Sequence, residues 1–266
     1  MPDIDLLIRN GTIYDGQGGL AFIGDVAVDG DAISAIGALG HLRARTELDV
    51  AGLAVAPGFI NMLSWANTSL IEDGRSQSDI RQGVTLEVLG EGWSMGPLNE
   101  AMAQEMVEQQ GDVRYDVEWA TLNENLHSLV RRGISPNVAS FVGATTVRIH
   151  TLGYADRGPT AAELQQMRAL VRQAMEEGAM GVGSALIYAP ANYAETPELV
   201  ALASEAGRVI SVEDLLARVW GAEFIGQPQV VYVHIRWLRE KLESNPDHPA
   251  RIVTVRGVGY KLVGGE

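Results

Sequence analysis

The fold of the C-terminal part is decided by one helical stretch, VYVHIRWLREKL at residues 231–242. Its apolar side chains recur three or four residues apart, at Val231, His234 or Ile235, Leu238 and Leu242. This spacing predicts a helix over 230–242 with one buried stripe, in which His234 is a packing residue. The opposite face carries Arg236, Arg239 and Lys241. Such a basic face is either a solvated surface or a surface that binds an anion.

A β-hairpin is predicted directly after this helix. Apolar and polar residues alternate in RIVTVR at 251–256 and in YKLV at 260–263. Gly257 and Gly259 stand between the two segments, where a tight turn needs positive φ. The pattern therefore favours two antiparallel strands joined by a short glycine turn.

An earlier helix is predicted in front of the basic one. Ser211 is a suitable cap for a helix over 212–220, and Glu213 is well placed in its first turn. A loop over 221–229 then leads to the basic helix. Helix, loop, basic helix and hairpin, in that order, predict a winged helix-turn-helix domain over 208–266.

Charge separates this tail from the rest of the chain. Residues 1–207 carry 12 Lys and Arg against 27 Asp and Glu, a net charge of −15. Residues 208–266 carry 8 against 7, a net charge of +1. Because an acidic surface repels phosphate, any binding of nucleic acid is expected in the tail.

Composition places the chain among globular proteins. Hydrophobic residues make up 46% and charged residues 20%, and the absence of cysteine excludes disulfides and thiolate metal ligands. The N-terminus has no basic segment followed by an apolar one, and no stretch approaches the roughly 20 apolar residues of a membrane span. We expect a cytoplasmic protein with no membrane partner.

The acidic part of the chain reads as a small β-layer followed by alternating strands and helices. Turn dipeptides at Asn10-Gly11, Asp15-Gly16 and Asp29-Gly30 predict hairpins of an antiparallel sheet. A continuous apolar run at 53–60 predicts a strand buried on both faces.

Further along, the sequence predicts a series of alternating elements. The predicted strands are 85–89, 137–142 and 179–186, and the predicted helices are 76–83, 117–132, 160–177 and 197–206. The third helix has a cap at Thr160, Glu163 three residues on, and a stop at Gly178.

The expected fold class is therefore α/β. It consists of a partial (β/α) barrel with a small N-terminal β-sandwich layer, followed by the C-terminal winged helix-turn-helix. The predicted domains are 1–56, 57–207 and 208–266. About four strand–helix units are visible, where a closed barrel needs eight, so an open edge is expected that a partner could cover.

The tail resembles the effector domain of OmpR/PhoB-type response regulators. The phrases that carry the resemblance are GRVISVEDLLARVWG, VHIRWLREKLE and TVRGVGYKL. By this resemblance the basic helix enters the major groove of double-stranded DNA and the hairpin reaches the minor groove. It implies DNA-binding roles for Arg236, Arg239, Lys241, Thr254, Arg256 and Gly257. Gln229-Val230 and Trp237 depart from the basic residues that are usual in the family.

Residues 1–207 resemble N-acyl-D-amino-acid deacylases of the amidohydrolase superfamily. The resemblance rests on DLLIRNGTIYDG, LAVAPGFIN, GVTLEVLGEGWSMGP and GVGSALIYAPANYAETPELVALASEAGR. It implies a β-sandwich beside a zinc-bearing barrel, with metal ligands at the ends of the strands. Here Leu63, Trp65 and Ala144 stand where the family places histidines, and none of them can bind a cation.

Three other residues remain as candidate ligands. Glu91 follows the strand over 85–89 and is either a ligand or the polar end of that strand. His127 is expected on the polar side of a helix, and His150 in a loop. No catalytic residue is assigned, and no cofactor is expected unless the deacylase-like half is functional, in which case it is zinc.

Three functional hypotheses follow. The first is DNA binding and transcriptional regulation through the tail, with a truncated and inactive deacylase-like half. The second is a deacylase-like amidohydrolase, which the missing ligands disfavour. The third is an accidental chimera with no integrated function.

Overall fold

The computed structural model describes residues 4–206, 210–211, 229–255 and 259–263. The chain forms two compact units, Met1–Gly58 and Phe59–Glu266. Among the described residues, no helix has both the length and the apolar character that crossing a membrane requires.

The first unit is a five-stranded mixed sheet. Its strands are β1 (Ile4–Ile13), β2 (Phe22–Asp29), β3 (Ala32–Gly37), β4 (Ala44–Asp49) and β5 (Ala54–Val55). The order is β3-β2-β1-β4, with β5 also paired to β1. β1 is antiparallel to β2 and parallel to β4 and β5, so the expectation of a purely antiparallel sheet was wrong. Leu7, Ala27 and Leu39 form the buried core.

The turn predicted at Asn10-Gly11 is instead an irregularity inside β1. Asn10 has φ 61°, and the register with β2 shifts at this point. Its backbone N–H donates to Asp25 at 2.9 Å and its side-chain amide donates to Asp49 at 3.0 Å. A Cβ on Gly11 would lie 2.5 Å from a methyl of Val55, so only glycine fits there. Asn10-Gly11 therefore makes long-range contacts within the sheet and does not form a local turn.

The single strand predicted over 53–60 is two short strands, β5 in the first unit and β6 (Phe59–Asn61) in the second. Pro57 lies between them and has no N–H to donate to a sheet ladder. Pro57-Gly58 is the signal of this break in the sequence, but the apolar residues on both sides of it favour a single strand.

The second unit begins with short parallel strands. β6, β7 (Val84–Leu89) and β8 (Asn137–Ser140) form one sheet, in that order. β9 (Val142–Gly143) pairs in parallel with β10 (Val182–Gly183). The predicted strand at 85–89 is confirmed, whereas the one predicted over 137–142 is broken at Phe141 into β8 and β9, which lie in different sheets. Only two residues of the run at 179–186 pair. These strands do not close into a barrel within the described part of the chain.

Seven helices accompany these strands in the described residues up to 206. They are α1 (Asn67–Glu72), α2 (Gln77–Ile80), α3 (Glu100–Glu108), α4 (Leu122–Arg132), α5 (Ala144–Leu152), α6 (Ala161–Glu176) and α7 (Thr196–Ala206). α6 begins with the predicted capping box, in which Thr160 and Glu163 bond to each other's backbone N–H. The hydrogen bonds of Arg157 to the Glu163 carboxylate, and then that of the Thr160 N–H, hold the pKa of Glu163 far below its usual value.

Helix α7 is fixed by charge as well as by apolar packing. Arg148 on α5 donates to Glu198 at 2.6 Å, and the two side chains are only 1% and 3% exposed. Arg148 also donates to the backbone carbonyls of Ala155 and Arg157. Leu202 is fully buried with Met167 and Val171 of α6, and Glu205 accepts bonds from Arg168 and Arg172.

The remaining elements are helix α8 (Gln229–Leu242) and a three-stranded sheet. The sheet contains β11 (Ile210–Ser211), β12 (Ile252–Val255) and β13 (Gly259–Leu262), in the order β11-β13-β12. β12 and β13 form the predicted antiparallel hairpin. β13 also packs against α7. The predicted helix over 212–220 lies outside the described residues.

Candidate nucleic-acid interface

Helix α8 packs one side against the hairpin. Val231, Ile235 and Ile252 form its buried core, with partly buried Val230, Leu242, Tyr260 and Leu262 around it. Leu238 was predicted to belong to the buried stripe but is 44% exposed. At about 100° per residue, Leu238 stands at the margin of the stripe defined by Val231, Ile235 and Leu242, and the small hairpin does not reach it.

Arg239 is bound to the hairpin. Its Nε and Nη2 donate to the carbonyl oxygen of Ile252 at 2.9 and 2.7 Å, and Nη2 also donates to the hydroxyl of Thr254 at 2.9 Å. Its guanidinium carbon lies 5.7 Å from the centroid of the Tyr260 ring, in cation–π range. The structure therefore brings the predicted residues Arg239 and Thr254 together, and they bond to each other.

Arg236 lies on the exposed side of α8 in an acidic setting. Its Nε donates to Glu240 at 2.8 Å, and its Nη1 pairs with Asp247. The hydrogen bond of Asp247, followed by that of Glu240, raises the pKa of Arg236, and the same contact lowers the pKa of Asp247. Exposed ion pairs contribute little because water screens them, so a phosphate or a guanine edge can replace these acids.

The side of α8 that faces away from its core is mixed in character. Val233, Trp237 and Glu240 are exposed beside Arg236, and Lys241 is exposed near them. Nδ1 of His234 lies 2.8 Å from the carbonyl oxygen of Val230, and its ring packs edge-to-face against Trp237 at 4.9 Å. His234 is thus engaged in contacts within α8.

Glu243 is a structural residue that the sequence analysis missed. Its carboxylate accepts backbone N–H groups from Ala250, Arg251 and Ile252, at 3.0, 2.9 and 2.6 Å. Burial opposes ionisation, but these N–H groups together lower the pKa of Glu243. The carboxylate therefore fastens the start of β12 to the end of α8. The KLE phrase contains this residue, but its partners follow a loop that no local pattern specifies.

Two predicted DNA-binding residues, Arg256 and Gly257, lie outside the described residues. The strands on either side pair up to Val255 and Gly259. Ser211, the predicted helix cap, lies in β11.

The ends of the strands in the α/β half, where metal ligands are expected, carry mostly apolar side chains. Leu63 and Trp65 follow β6 and are exposed, and Ala144 is buried at the start of α5. Glu91 is half-buried just after β7. In the described part of the chain, no three His, Cys, Asp or Glu side chains converge as a metal site would require. These side chains do not supply the ligand set of a hydrolytic zinc ion.

Backbone packing explains why no larger side chain fits between these strand ends. A Cβ on Gly143 would lie 2.3 Å from the carbonyl oxygen of Gly92. A Cβ on Gly183 would lie 2.1 Å from that of Gly90. The ends of β7, β9 and β10 therefore meet through glycine backbone.

The two histidine candidates lie apart from these ends. His127 is exposed on α4. His150 was predicted in a loop, but it lies in the last turn of α5, because the apolar and small residues from Ala144 onward form a buried helix. Burial lowers the pKa of His150.

A second missed residue is Glu87, which is fully buried in β7. One of its oxygens accepts the side-chain amide of Asn61 at 3.1 Å. The signal in the sequence was a carboxylate in the middle of an apolar strand. In TLEVL, however, a single polar residue is also what a strand with one solvent-facing side would show.

Comparison with known proteins finds two different kinds of relative for the two ends of the chain. Residues 193–262 match the family described as "Transcriptional regulatory protein, C terminal". The chain is 53% identical over 55 residues to the alkaline phosphatase synthesis transcriptional regulatory protein SphR of Synechococcus elongatus, which is 21% of each protein.

The larger part is similar to deacylases. The chain is 34% identical over 197 residues to an N-acyl-D-aspartate deacylase of Alcaligenes xylosoxydans xylosoxydans, which is 74% of this chain and 39% of that protein. An N-acyl-D-glutamate deacylase structure from Bordetella bronchiseptica, complexed with zinc and a phosphonate inhibitor, is 30% identical with a TM-score of 0.67. The match covers 76% of this chain and 43% of that one.

Both predicted resemblances are thus confirmed, the deacylase one over 74% of the chain and the regulator one over residues 193–262. The chain spans about two fifths of the length of its deacylase relative and about one fifth of its regulator relative.

Replacing Glu243 by Gln is expected to loosen the hairpin. The substitution removes the charge from bonds to three backbone N–H groups, and charge-assisted bonds of this kind are worth about 1.5–3 kcal/mol. Hydrogen exchange of the amides in β12 and β13 should be faster in Glu243→Gln. Glu240→Gln, which neutralises an exposed acid on the same helix, is the matched control.

The same measurement has a pH signature. Because the folded pKa of Glu243 lies below its unfolded value, its contribution is present above the unfolded pKa of about 4.3 and is lost as the pH falls below it. The difference between the two variants should therefore shrink in acid. Equal protection of the hairpin in both variants at neutral pH would contradict this role.

Proposed function

We propose that this protein binds double-stranded DNA through α8 and the hairpin and acts in transcriptional regulation. The observation that carries the proposal is the family match over 193–262, which includes α7, α8 and all three strands of the C-terminal sheet. Helix α8 is the recognition helix in this proposal, and it lies in the major groove.

The distribution of charge supports the tail as the DNA-binding part. Residues 229–263 contain six Lys and Arg against three Asp and Glu, whereas residues 1–207 carry a net charge of −15. Favourable interaction with phosphates is therefore concentrated in the tail, and the acidic part weakens it.

The proposed roles of the basic residues differ. Arg236 exchanges Glu240 and Asp247 for a phosphate or a guanine edge, and Lys241 contributes a nearby positive charge. Arg239 and Thr254 act together, because the guanidinium already holds the strand that carries Thr254. Arg256 and Gly257 are proposed to approach the DNA backbone from the turn of the wing.

The open edge of the α/β half is the proposed site of a protein partner. Phe59 and Ile60 are exposed on β6, which pairs on one side only in the described residues. An unpaired apolar edge strand promotes association. In this proposal residues 57–207 form a partial barrel and residues 1–56 form an N-terminal β-sandwich layer.

Deacylase activity is the second candidate, supported by the 34% identity to an N-acyl-D-aspartate deacylase. We propose that this half is inactive, since Leu63, Trp65 and Ala144 offer no electron pair to a metal. Glu91 alone is not a binding site. An accidental fusion without integrated function is the remaining alternative, and the DNA-binding test below bears on it.

Replacing Arg236 by Ala is expected to weaken duplex binding by about 1–3 kcal/mol if the side chain reads a base edge. If it contacts only phosphate, the loss should be similar for all sequences and the salt dependence should flatten by about one unit. Fluorescence anisotropy of the full chain, on duplexes selected from a random library, at two salt concentrations, measures both quantities.

Arg75→Ala is the matched control, because it removes the same charge from an exposed Arg of the acidic half that pairs with Asp73. It should leave affinity and salt dependence unchanged. Failure of the full chain to bind any duplex in a salt-dependent way would refute the proposed function.

Zinc-dependent release of D-amino acid from N-acyl-D-aspartate or N-acyl-D-glutamate is not expected. The reason is the ligand set at the strand ends, where apolar side chains replace metal ligands. The assay is amino-acid release by the full chain with added zinc, with and without a chelator. Turnover that the chelator abolishes and zinc restores would establish the deacylase alternative instead.

A further inference from the structure

The most outward side of α8 is apolar at its centre. Val233 and Trp237 each follow a buried residue, Val231 and Ile235, by two positions, about 200° around the helix. They are therefore directed away from the hairpin, one turn apart. Their exposed fractions are 45% and 54%.

Cationic side chains border this pair. Arg236 and Lys241 are exposed on either side of Trp237. Arg239 does not contribute to this outward side, since its guanidinium is bonded to Ile252 and Thr254. Glu240, paired with Arg236, is exposed on the same side, so the helix presents two apolar side chains within a charged margin that contains two cations and one carboxylate.

The size and charge of this surface fit DNA better than a protein. A stable protein interface needs about 800 Å² from each partner and a core from which charge is depleted, whereas here two apolar side chains are closely bordered by charged ones, Arg236, Glu240 and Lys241. In duplex DNA the major groove admits a helix, and phosphates on its rims face the cations. The apolar groups available inside this groove are the C5-methyl groups of thymine.

We propose that Val233 and Trp237 read thymine methyl groups in the major groove, so that this protein selects sites with thymine opposite this pair. The inference rests on the proposed DNA-binding function. It assigns sequence selectivity to apolar contact, while Arg236 and Lys241 supply affinity.

Replacing thymine by uracil in the DNA isolates this contact, since uracil keeps the base pairing, the hydrogen-bonding groups and the phosphates and lacks only the methyl. The probes are duplexes selected by the full chain from a random library, with deoxyuridine substituted at one thymine position at a time. At contacted positions, affinity should fall about two- to fourfold, the ratio expected for one methyl removed from water.

Variants of the full chain connect the effect to these side chains. Trp237→Ala and Val233→Ala should each reduce the thymine-to-uracil ratio toward one at the positions they contact, whereas Trp237→Phe should retain it. Leu238→Ala is the matched control, because Leu238 is similarly exposed on α8 but lies toward the core side of the helix.

The outcomes distinguish failure of the proposed thymine readout from failure of the proposed DNA-binding function. Salt-dependent binding with equal affinity for thymine and uracil duplexes at every position overturns the methyl readout and leaves the proposed function standing. A uracil effect that persists unchanged in both alanine variants also overturns it. Absence of any salt-dependent duplex binding refutes the proposed function itself.

Discussion

The buried ion pair between Arg148 and Glu198 is the constraint on which the arrangement of the second unit depends. Both charges are almost completely removed from water, so each needs the other, and loss of one partner of such a pair typically costs about 3–5 kcal/mol. The pair fixes α7 against α5, and Leu202 and Glu205 fix it against α6. The same helix packs against β13 of the C-terminal sheet and lies inside the regulator match, residues 193–262. Helix α7 therefore packs both against the helices of the α/β half and against the C-terminal sheet.

The tail itself has a small apolar core and relies on polar contacts to fix its geometry. Three buried side chains, Val231, Ile235 and Ile252, form this core in the described residues. A core of this size is marginal on its own. Arg239 joins the last turn of α8 to β12, and Glu243, directly after the helix, is bonded to the start of the same strand. Because both bonds are made to backbone groups of the strand, they set the angle between the helix and the hairpin. In the proposed complex with DNA, this angle determines which side chains of α8 can reach the major groove.

Local patterns in the sequence were sufficient to predict elements but not the use of individual side chains. The helix at 229–242, the hairpin after it and the capping box at Thr160 follow from periodicity and turn chemistry, which act within a few residues. The inward turn of Arg239, the role of Glu243 and the irregularity at Asn10 depend on partners 7 to 39 residues away. The helical position of His150 was missed for a related reason, since α5 is buried on nearly every side and so has little amphipathic signal. Spacing alone could therefore place three basic residues on α8 without showing that one of them is bonded to the hairpin.

We expect the acidic α/β half and the proposed DNA-binding tail, which share α7, to behave as one cooperative unit. Hydrogen exchange of the full chain with Glu198→Gln tests it directly, with Glu195→Gln, an exposed acid just before the same helix, as the control. Exchange should be faster in α7 and also in β13, which packs against the same helix. The contrary result is faster exchange in α5, α6 and α7 only, with β13 as protected as in the control. It would show that the tail folds independently and would contradict the cooperative coupling through α7.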